Sequence, residues 1–271
     1  MSTIALDQST PPVTEDLAAI VADLKFAEID ADSLAVAKQC LIDWFAVTLA
    51  GAQEPLTGML AAEAIEEGGS PRATLIGSAV KGTLAQACLV NGSGSHALDY
   101  DDVNLNMGGH PTAQVAAAVL AVAEDLGASG RDLLAAFVAG YEAEGRIGTL
   151  VAPSHYGNGF HVTATVGSFG AAAGVGHLLG LDGAAMASAF GIAGTQAAGL
   201  KAQFGTMCKP LHAGKAAVNG LLAARLARRG FTSRADILEA PQGFADTQSD
   251  DFRVERAMRT PRQGFHVREN L

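Results

Sequence analysis

The chain has 271 residues and a formal net charge of −10; 49% of its residues are hydrophobic and 17% are charged. This length and composition support a sizeable buried core and exclude an intrinsically disordered chain. The acidic balance argues against a nucleic-acid partner, which would need a basic face. Cys40, Cys88 and Cys208 are odd in number and form no CxxC pattern. We therefore expect reduced core thiols in a cytoplasmic protein, with neither a disulfide framework nor a zinc site.

Helical periodicity dominates the sequence and predicts an all-α fold. The first helix is predicted from Thr14 to Phe26, and the second from Asp32 or Ser33, either of which could cap it, to Leu49. Three-to-four spacing in the second helix predicts a core-facing stripe made of Leu34, Ala37, Leu41, Phe45 and Thr48. Further helices are predicted over residues 56–67, 82–98, 112–126, 131–150, 161–179, 183–197 and 213–229, with one β-like run at 73–76.

Two stretches bear on the membrane and on domain organisation. Residues 147–181 contain no Lys, Arg, Asp or Glu, but Pro153 and several His and Asn side chains interrupt them. Hydrocarbon would penalise those polar groups, so we interpret the stretch as two buried helices and expect no membrane partner. Polarity rises after Asp236. That rise marks the one plausible domain boundary along the chain.

The densest cluster of proton-active groups lies between His96 and His110. His96 and Asp99 are three residues apart, so on a helix they would share a face. Asp99, Asp101 and Asp102 gather negative charge, which raises the pKa of at least one carboxyl and suits a general acid or base. A solvated capping loop is the alternative. A divalent metal site fits the residue types, although the spacing matches neither HExxH nor an EF-hand loop.

Two later segments carry further candidate groups. His161 follows a flexible Gly-Asn-Gly and opens a long uncharged helix, whose N-terminus would attract carboxylates. Lys209, His212 and Lys215 lie within seven residues and could clamp a multiply charged acid. The alternatives are a capping or core histidine at His161 and an exposed basic turn at Lys209 to Lys215.

The order of these motifs resembles the MmgE/PrpD family, which includes 2-methylcitrate dehydratase, cis-aconitate decarboxylase and iminodisuccinate epimerase. The resemblance begins with Ala-Lys-Gln-Cys-Leu-Ile-Asp at 37–43 and Ala-Gly at 50–51. It continues with Asn-Gly-Ser-Gly-Ser-His-Ala-Leu-Asp-Tyr-Asp-Asp at 91–102 and Gly-His-Pro at 109–111. Phe-His-Val-Thr at 160–163 and Lys-Pro-Leu-His-Ala-Gly at 209–214 complete it.

The resemblance implies a lyase or isomerase that transfers a proton next to a carboxylate of a small polycarboxylate. Dehydration of the 2-methylcitrate dehydratase type, by a carbon–oxygen lyase, is the first expectation; decarboxylation and epimerisation are alternatives. It implies catalytic roles for Asp99, His110 and His161. Substrate-binding roles fall to Lys209, His212 and Asp102. No cofactor and no metal are expected, and the resemblance implies a homodimer.

This sequence departs from the family pattern at two places. Some relatives have Thr after the paired aspartates, where this chain has Val103 and lacks a hydroxyl. Relatives are also longer, with an α+β lid domain after the helical part, so the chain resembles a truncated member. The resemblance thus implies an all-α helical domain over 1–245 and an incomplete start of the lid domain over 246–271. A catalytically silent module for oligomerisation or binding is therefore a second hypothesis. A divalent-metal hydrolase is the third, using His96, Asp99, Asp101, Asp102 and His110.

Overall fold

The computed structural model describes residues 11–261 and 264–270. In those ranges twelve α-helices follow in order: α1 (Val13–Ala22), α2 (Ala31–Gly51), α3 (Pro55–Glu67), α4 (Leu84–Ser95), α5 (Thr112–Leu126), α6 (Gly130–Val151), α7 (Ser154–Gly157), α8 (Val162–Leu178), α9 (Gly183–Gly194), α10 (Cys208–Ala227), α11 (Phe244–Gln248) and α12 (Val254–Met258). One antiparallel hairpin of β1 (Ala73–Thr74) and β2 (Lys81–Gly82) accompanies them, and short 3-10 turns lie at Phe26–Glu28, Lys201–Gln203 and His266–Glu269. The all-α prediction is confirmed.

Helix α8 is the centre of the core. Residues 162–176 are all buried, and the helix packs against α5, α6, α9 and α10. A helix surrounded on every side carries apolar and small residues all round, as this one does. Together with the buried end of α6, it confirms the interpretation of residues 147–181 as buried helices.

Small residues let α10 approach its neighbours closely. A Cβ on Gly220 would overlap the backbone nitrogen of Ala172 in α8, and one on Gly214 would overlap the carbonyl oxygen of Leu89 in α4. Because Gly214 lies in the second turn of α10, this contact fixes the start of α10 beside the later turns of α4.

Local capping sets where several helices begin. The Asp30 side chain accepts a hydrogen bond from the Ser33 N–H, so Asp30 caps α2 and the prediction of Asp32 or Ser33 was wrong. Thr83 with Gln86 and Ser129 with Asp132 form reciprocal capping boxes at α4 and α6.

Four other predictions need correction. The buried stripe of α2 is Ser33, Ala37, Cys40, Trp44, Val47, Thr48 and Gly51, while Phe45 is 38% exposed. Helix α4 ends at Ser95 instead of residue 98, and α10 begins at Cys208 instead of residue 213. Cys40 and Cys88 are buried as predicted, but Cys208 is exposed.

The described C-terminal residues lie against the helical core. Arg146 in α6 donates a hydrogen bond to the carbonyl of Ala257 in α12, at 2.9 Å. The backbone N–H of His266 donates to Glu142 of α6, at 2.8 Å. The domain boundary near residue 245 stays a prediction.

Among the described helices, α2 is long and apolar enough to cross a membrane by length and composition. The mean hydropathy of its most apolar stretch is 1.3, and a third of that stretch is buried within the protein. Core helices of soluble proteins pass the same test, so this observation is weak evidence for a membrane span.

Candidate active site

A cavity of about 530 Å³ lies where the 103–110 loop meets the starts of α8 and α10. Its volume is in the range of small-molecule sites. The lining includes four of the six predicted site residues, Asp99, His110, His161 and Lys209. The other lining residues are Val103, Leu105, Asn106, Met107, Gly108, Gly109, Ala152, Pro153, Tyr156, Thr163 and Phe204.

Asp99 and Lys209 form an ion pair at the mouth of the cavity. The Lys209 ammonium donates to Asp99 Oδ1, and it lies 5.1 Å from the centre of the Phe204 ring. Asp99 has a positive φ of 59°, a conformation that Asp tolerates better than most residues. It lies past the end of α4, so the prediction that it shares a helix face with His96 was wrong. The turn aims its half-exposed carboxylate at the lysine.

Behind the cavity, Asp101 bridges two imidazoles. His96 Nδ1 lies 2.9 Å from Asp101 Oδ1, and His110 Nδ1 lies 3.4 Å from Asp101 Oδ2. Burial alone would raise the pKa of Asp101, but the two histidines outweigh it and hold that pKa well below its usual range. Burial would likewise lower the pKa of His110, but Asp101 raises it above its ordinary value. Nε2 of His110 lies 3.7 Å from Asp99 Oδ1, on the cavity side.

His161 forms the opposite wall and is paired with His212. Their Nδ1 atoms lie 3.0 Å apart, so one nitrogen donates and the other accepts. Burial, followed by the neighbouring imidazoles, lowers the pKa of His161 to about 2. His161 is therefore neutral near pH 7. His212 does not line the cavity and acts on it through His161, so its position does not support the predicted direct contact with substrate.

Asp102 is buried and points away from the cavity. Its carboxyl accepts from the Thr112 backbone N–H at 3.2 Å and pairs with the Thr112 hydroxyl at 2.5 Å. Burial raises the pKa of Asp102 to about 7, and the charge of Asp101 adds to the effect. The geometry supports a group that anchors the first residue of α5, and it does not support the predicted substrate contact.

Three long helices begin at this cavity. His110 lies two residues before α5, His161 directly precedes α8, and Lys209 is in the first turn of α10. Helix N-termini carry partial positive charge and free N–H groups. Their convergence makes the cavity suited to an anion, on a protein whose net charge is −10.

One group of side chains has the types that bind metal ions. One ligand atom from each of His96, Asp99, Asp101 and His110 lies within 4.8 Å of the others. In this arrangement both histidines face Asp101, and Asp99 is paired with the Lys209 ammonium. A cation placed there would be repelled by the positive charge of Lys209. The cluster is therefore better suited to acid–base work than to holding a metal.

Sequence reasoning missed two aromatic walls of the site. The Phe204 ring contacts His161 edge-on, with centroids 4.9 Å apart, and Tyr156 lines the cavity beside it. Phe204 has no His or acid beside it in the sequence, and Tyr156 follows His155, which does not line the cavity, so only the tertiary packing reveals the two rings. Thr163, quoted earlier within its motif, accepts a hydrogen bond from the His110 N–H at 3.1 Å and thereby joins the two histidine segments.

The comparison with known families matches the MmgE/PrpD N-terminal domain over residues 15–257. That match covers most of the chain. The chain belongs to the MmgE/PrpD family. The resemblance drawn from the ordered motifs is thus confirmed, together with the helical architecture it implied.

Curated relatives of this family member include proteins named cis-aconitate decarboxylase. The one from Aspergillus terreus is 33% identical over 240 residues, which cover 85% of this chain and 49% of the relative. A cis-aconitate decarboxylase-like protein, oryM, from Aspergillus oryzae is 34% identical over 89% of this chain and 52% of its own length. The Homo sapiens cis-aconitate decarboxylase is 36% identical over 58% of this chain and 34% of its own. The chain spans about half the length of the fungal relatives it matches.

Proposed function

We propose that this chain supplies the anion-binding and proton-transfer groups of a lyase acting on a small polycarboxylate. The observation that carries the proposal is the meeting of His110, His161 and the Asp99–Lys209 pair at one cavity where three helices begin. Among the family's reactions, the names of the relatives favour decarboxylation over the dehydration expected first. Val103, which lines the cavity without a hydroxyl, supports a substrate that differs in detail from theirs.

Carboxylate binding falls to the positive side of the cavity. Lys209 can exchange its partner Asp99 for a substrate carboxylate, since Asp99 is 54% exposed and can turn to water. Thr163 lies in the first turn of α8, where N–H groups face the cavity rim. Charge-assisted bonds of this kind hold and orient a carboxylate.

Proton transfer falls to His110. The buried carboxylate of Asp101 raises the His110 pKa, which favours the protonated imidazole. Its Nε2 lies on the cavity side, 3.7 Å from Asp99 Oδ1. When a carbon–carbon bond to a carboxylate breaks, the electron pair stays on carbon, and that carbon takes the His110 proton as carbon dioxide leaves. Neutral His161, held by His212, orients the substrate on the opposite side.

Binding of cis-aconitate and citrate by the purified chain tests this function. Calorimetry with Lys209→Gln should show affinity reduced by about tenfold or more, because a charge-assisted bond is lost. Lys215→Gln is the matched control, an exposed lysine on the same helix, and should bind as the parent does. A chelator should leave the binding unchanged.

The outcomes separate the competing hypotheses. No binding by the parent chain would favour a silent module and contradict the proposal. Equal losses in both lysine variants would show general charge attraction without a site. Binding that requires a divalent ion would favour the metal hydrolase formed by the five His and Asp residues between 96 and 110.

Oligomeric state and location are part of the same proposal. Helices α2 and α3 expose large apolar side chains, with Ile42 69%, Leu49 54%, Met59 61% and Ile65 58% exposed. Together with the family resemblance, these exposed apolar side chains support a homodimer.

The three free cysteines support a cytoplasmic location. Sedimentation showing only monomer at micromolar concentration, or fractionation away from the cytosol, would contradict these two points.

A further inference from the structure

A second cavity, of about 380 Å³, lies at the other end of the core helices. It is lined by the end of α10 (Arg225, Arg228 and Arg229), by Arg72 near the hairpin, and by an apolar floor of Leu84, Val122, Leu126 and Leu179. Lys209 and Arg225 are sixteen residues apart on one helix, so the two cavities lie roughly 25 Å from each other. This cavity is therefore distinct from the active site.

The charge of the second cavity is not compensated within the described residues. Its one acid, Asp125, is already engaged by the Arg72 guanidinium through two hydrogen bonds. Among the described residues, no hydrogen bond or ion pair engages the guanidinium group of Arg225, Arg228 or Arg229. These three lie at i, i+3 and i+4 at the end of α10, where like charges repel one another. Because Asp125 is already paired with Arg72, these three guanidiniums lining one cavity are a local excess of positive charge on an acidic protein.

The helix dipoles offer one alternative explanation for the three arginines. Helices α5, α8 and α10 all end here, and helix C-termini favour cations. A capping arginine would donate to the last carbonyl oxygens, and none of these three guanidiniums does so within the described part of the chain. Their donors are instead available to an external acceptor, since Arg228 and Arg229 are exposed and Arg225 is partly buried; Leu84 and Val122, which line the same cavity, are buried.

The geometry points to a binding site for a small phosphate-bearing anion in this cavity. Planar guanidinium forks pair bidentately with phosphate oxygens, and a dianionic phosphate balances much of the excess charge of Arg225, Arg228 and Arg229. The apolar floor would take an uncharged part of the same ligand. The cavity volume fits a small molecule and not a protein segment.

Titration with pyrophosphate, at constant ionic strength and without divalent ions, tests the site by calorimetry. The parent chain should bind saturably, and the double variant Arg225→Gln/Arg229→Gln should bind at least about tenfold more weakly. The control Lys38→Gln/Arg259→Gln removes the same charge at exposed positions outside the cavity and should bind as the parent does. Lys209→Gln should also leave pyrophosphate binding unchanged.

Each of the following results would overturn the inference of a phosphate site. Absence of saturable binding by the parent, or equal weakening in the control, would show unspecific attraction. Loss of pyrophosphate binding in Lys209→Gln would place the anion in the first cavity. If the double variant unfolds, Arg225→Lys replaces it, because it keeps the charge and removes the fork; unchanged pyrophosphate affinity in that variant contradicts recognition by Arg225.

Discussion

Asp101 controls the protonation of the candidate active site more than the exposed Asp99 does. Its carboxylate is buried between His96 and His110 and stays ionised because both imidazoles face it. The negative charge so held raises the pKa of His110. Two adjacent aspartates thus have opposite behaviour, since the pKa of Asp102 is raised to about 7 by burial beside Thr112.

The raised pKa of Asp102 predicts a measurable pH dependence of stability. The pKa of Asp102 in the folded protein, about 7, lies above the ordinary value of 3.8. The contribution of protonated Asp102 to the free energy of unfolding is therefore fully present below pH 4 and is lost as pH rises through about 7. Asp102→Asn mimics the protonated side chain and removes this loss. We expect the variant to gain stability over the parent by on the order of a few kcal/mol between pH 4.5 and pH 8.

Urea unfolding at several pH values measures this gain. The exposed Asp23→Asn is the control for removing one carboxylate from the protein surface. Parallel stability curves for Asp102→Asn and the parent would show that Asp102 is ionised in the folded protein, against the prediction.

At the scale of elements, the start of α10 positions Lys209 and His212. Its place beside α4 depends on Gly214, where an added Cβ would overlap the Leu89 carbonyl oxygen. Gly214→Ala should therefore destabilise the protein by about 1–3 kcal/mol, as overpacking does in tight cores. Ligand affinity should fall as well, because α10 must shift. Chemical denaturation and calorimetry measure the two effects.

Gly58→Ala in α3 is the matched control for that substitution. Nothing lies within 4 Å of a Cβ at Gly58, so alanine there should be neutral or stabilising by up to about 1 kcal/mol. Equal stability of the two variants would mean that α4 and α10 have room to separate.

Element prediction from sequence succeeded where a glycine ends a helix, as Gly127 does after α5, and failed where tertiary contacts decide. Helix α2 has apolar residues nearly all round, so its periodicity could not reveal that Trp44 faces inward and Ile42 outward. Helix α4 ends at Ser95 without Gly or Pro after it, because His96 and Asp101 pair in the buried turn that follows. Pro210 is tolerated in the first turn of α10 and did not mark its start.

At the scale of the whole molecule, composition and periodicity were enough to predict the fold class. The ordered motifs were enough to predict which segments meet at the cavity. The pairings within the site could not be predicted, because His161 and His212 are 51 residues apart and meet only through helix packing. The same applies to Phe204, which no local pattern distinguishes.

The described C-terminal residues brace the loop that walls the cavity. Asn270 accepts a hydrogen bond from the Tyr141 hydroxyl at 3.1 Å, and its backbone pairs with Asn104. Asn270→Ala removes one hydrogen-bond partner of that buried hydroxyl and should cost about 1–3 kcal/mol. Hydrogen exchange should quicken at the amides of Gly108 and Gly109, which bond to the Asn104 carbonyl.

Exchange measured by mass spectrometry, alongside thermal unfolding, checks this prediction. Asn158→Ala serves as the control, since Asn158 is exposed and bonds only to the exposed Asp250 through its side chain. Unchanged exchange in the 104–109 loop of Asn270→Ala would show that the loop holds its shape unaided.

The bracing of that loop also bears on when the site forms during folding. Asn104 donates a side-chain hydrogen bond to the carbonyl of His266, across a sequence separation of 162 residues. Contacts so distant form late, because the intervening chain must first lose its freedom. On a ribosome, the proton-active loop would leave the exit tunnel well before its last partners. A nascent chain would therefore acquire its helical core first and a competent cavity only afterwards.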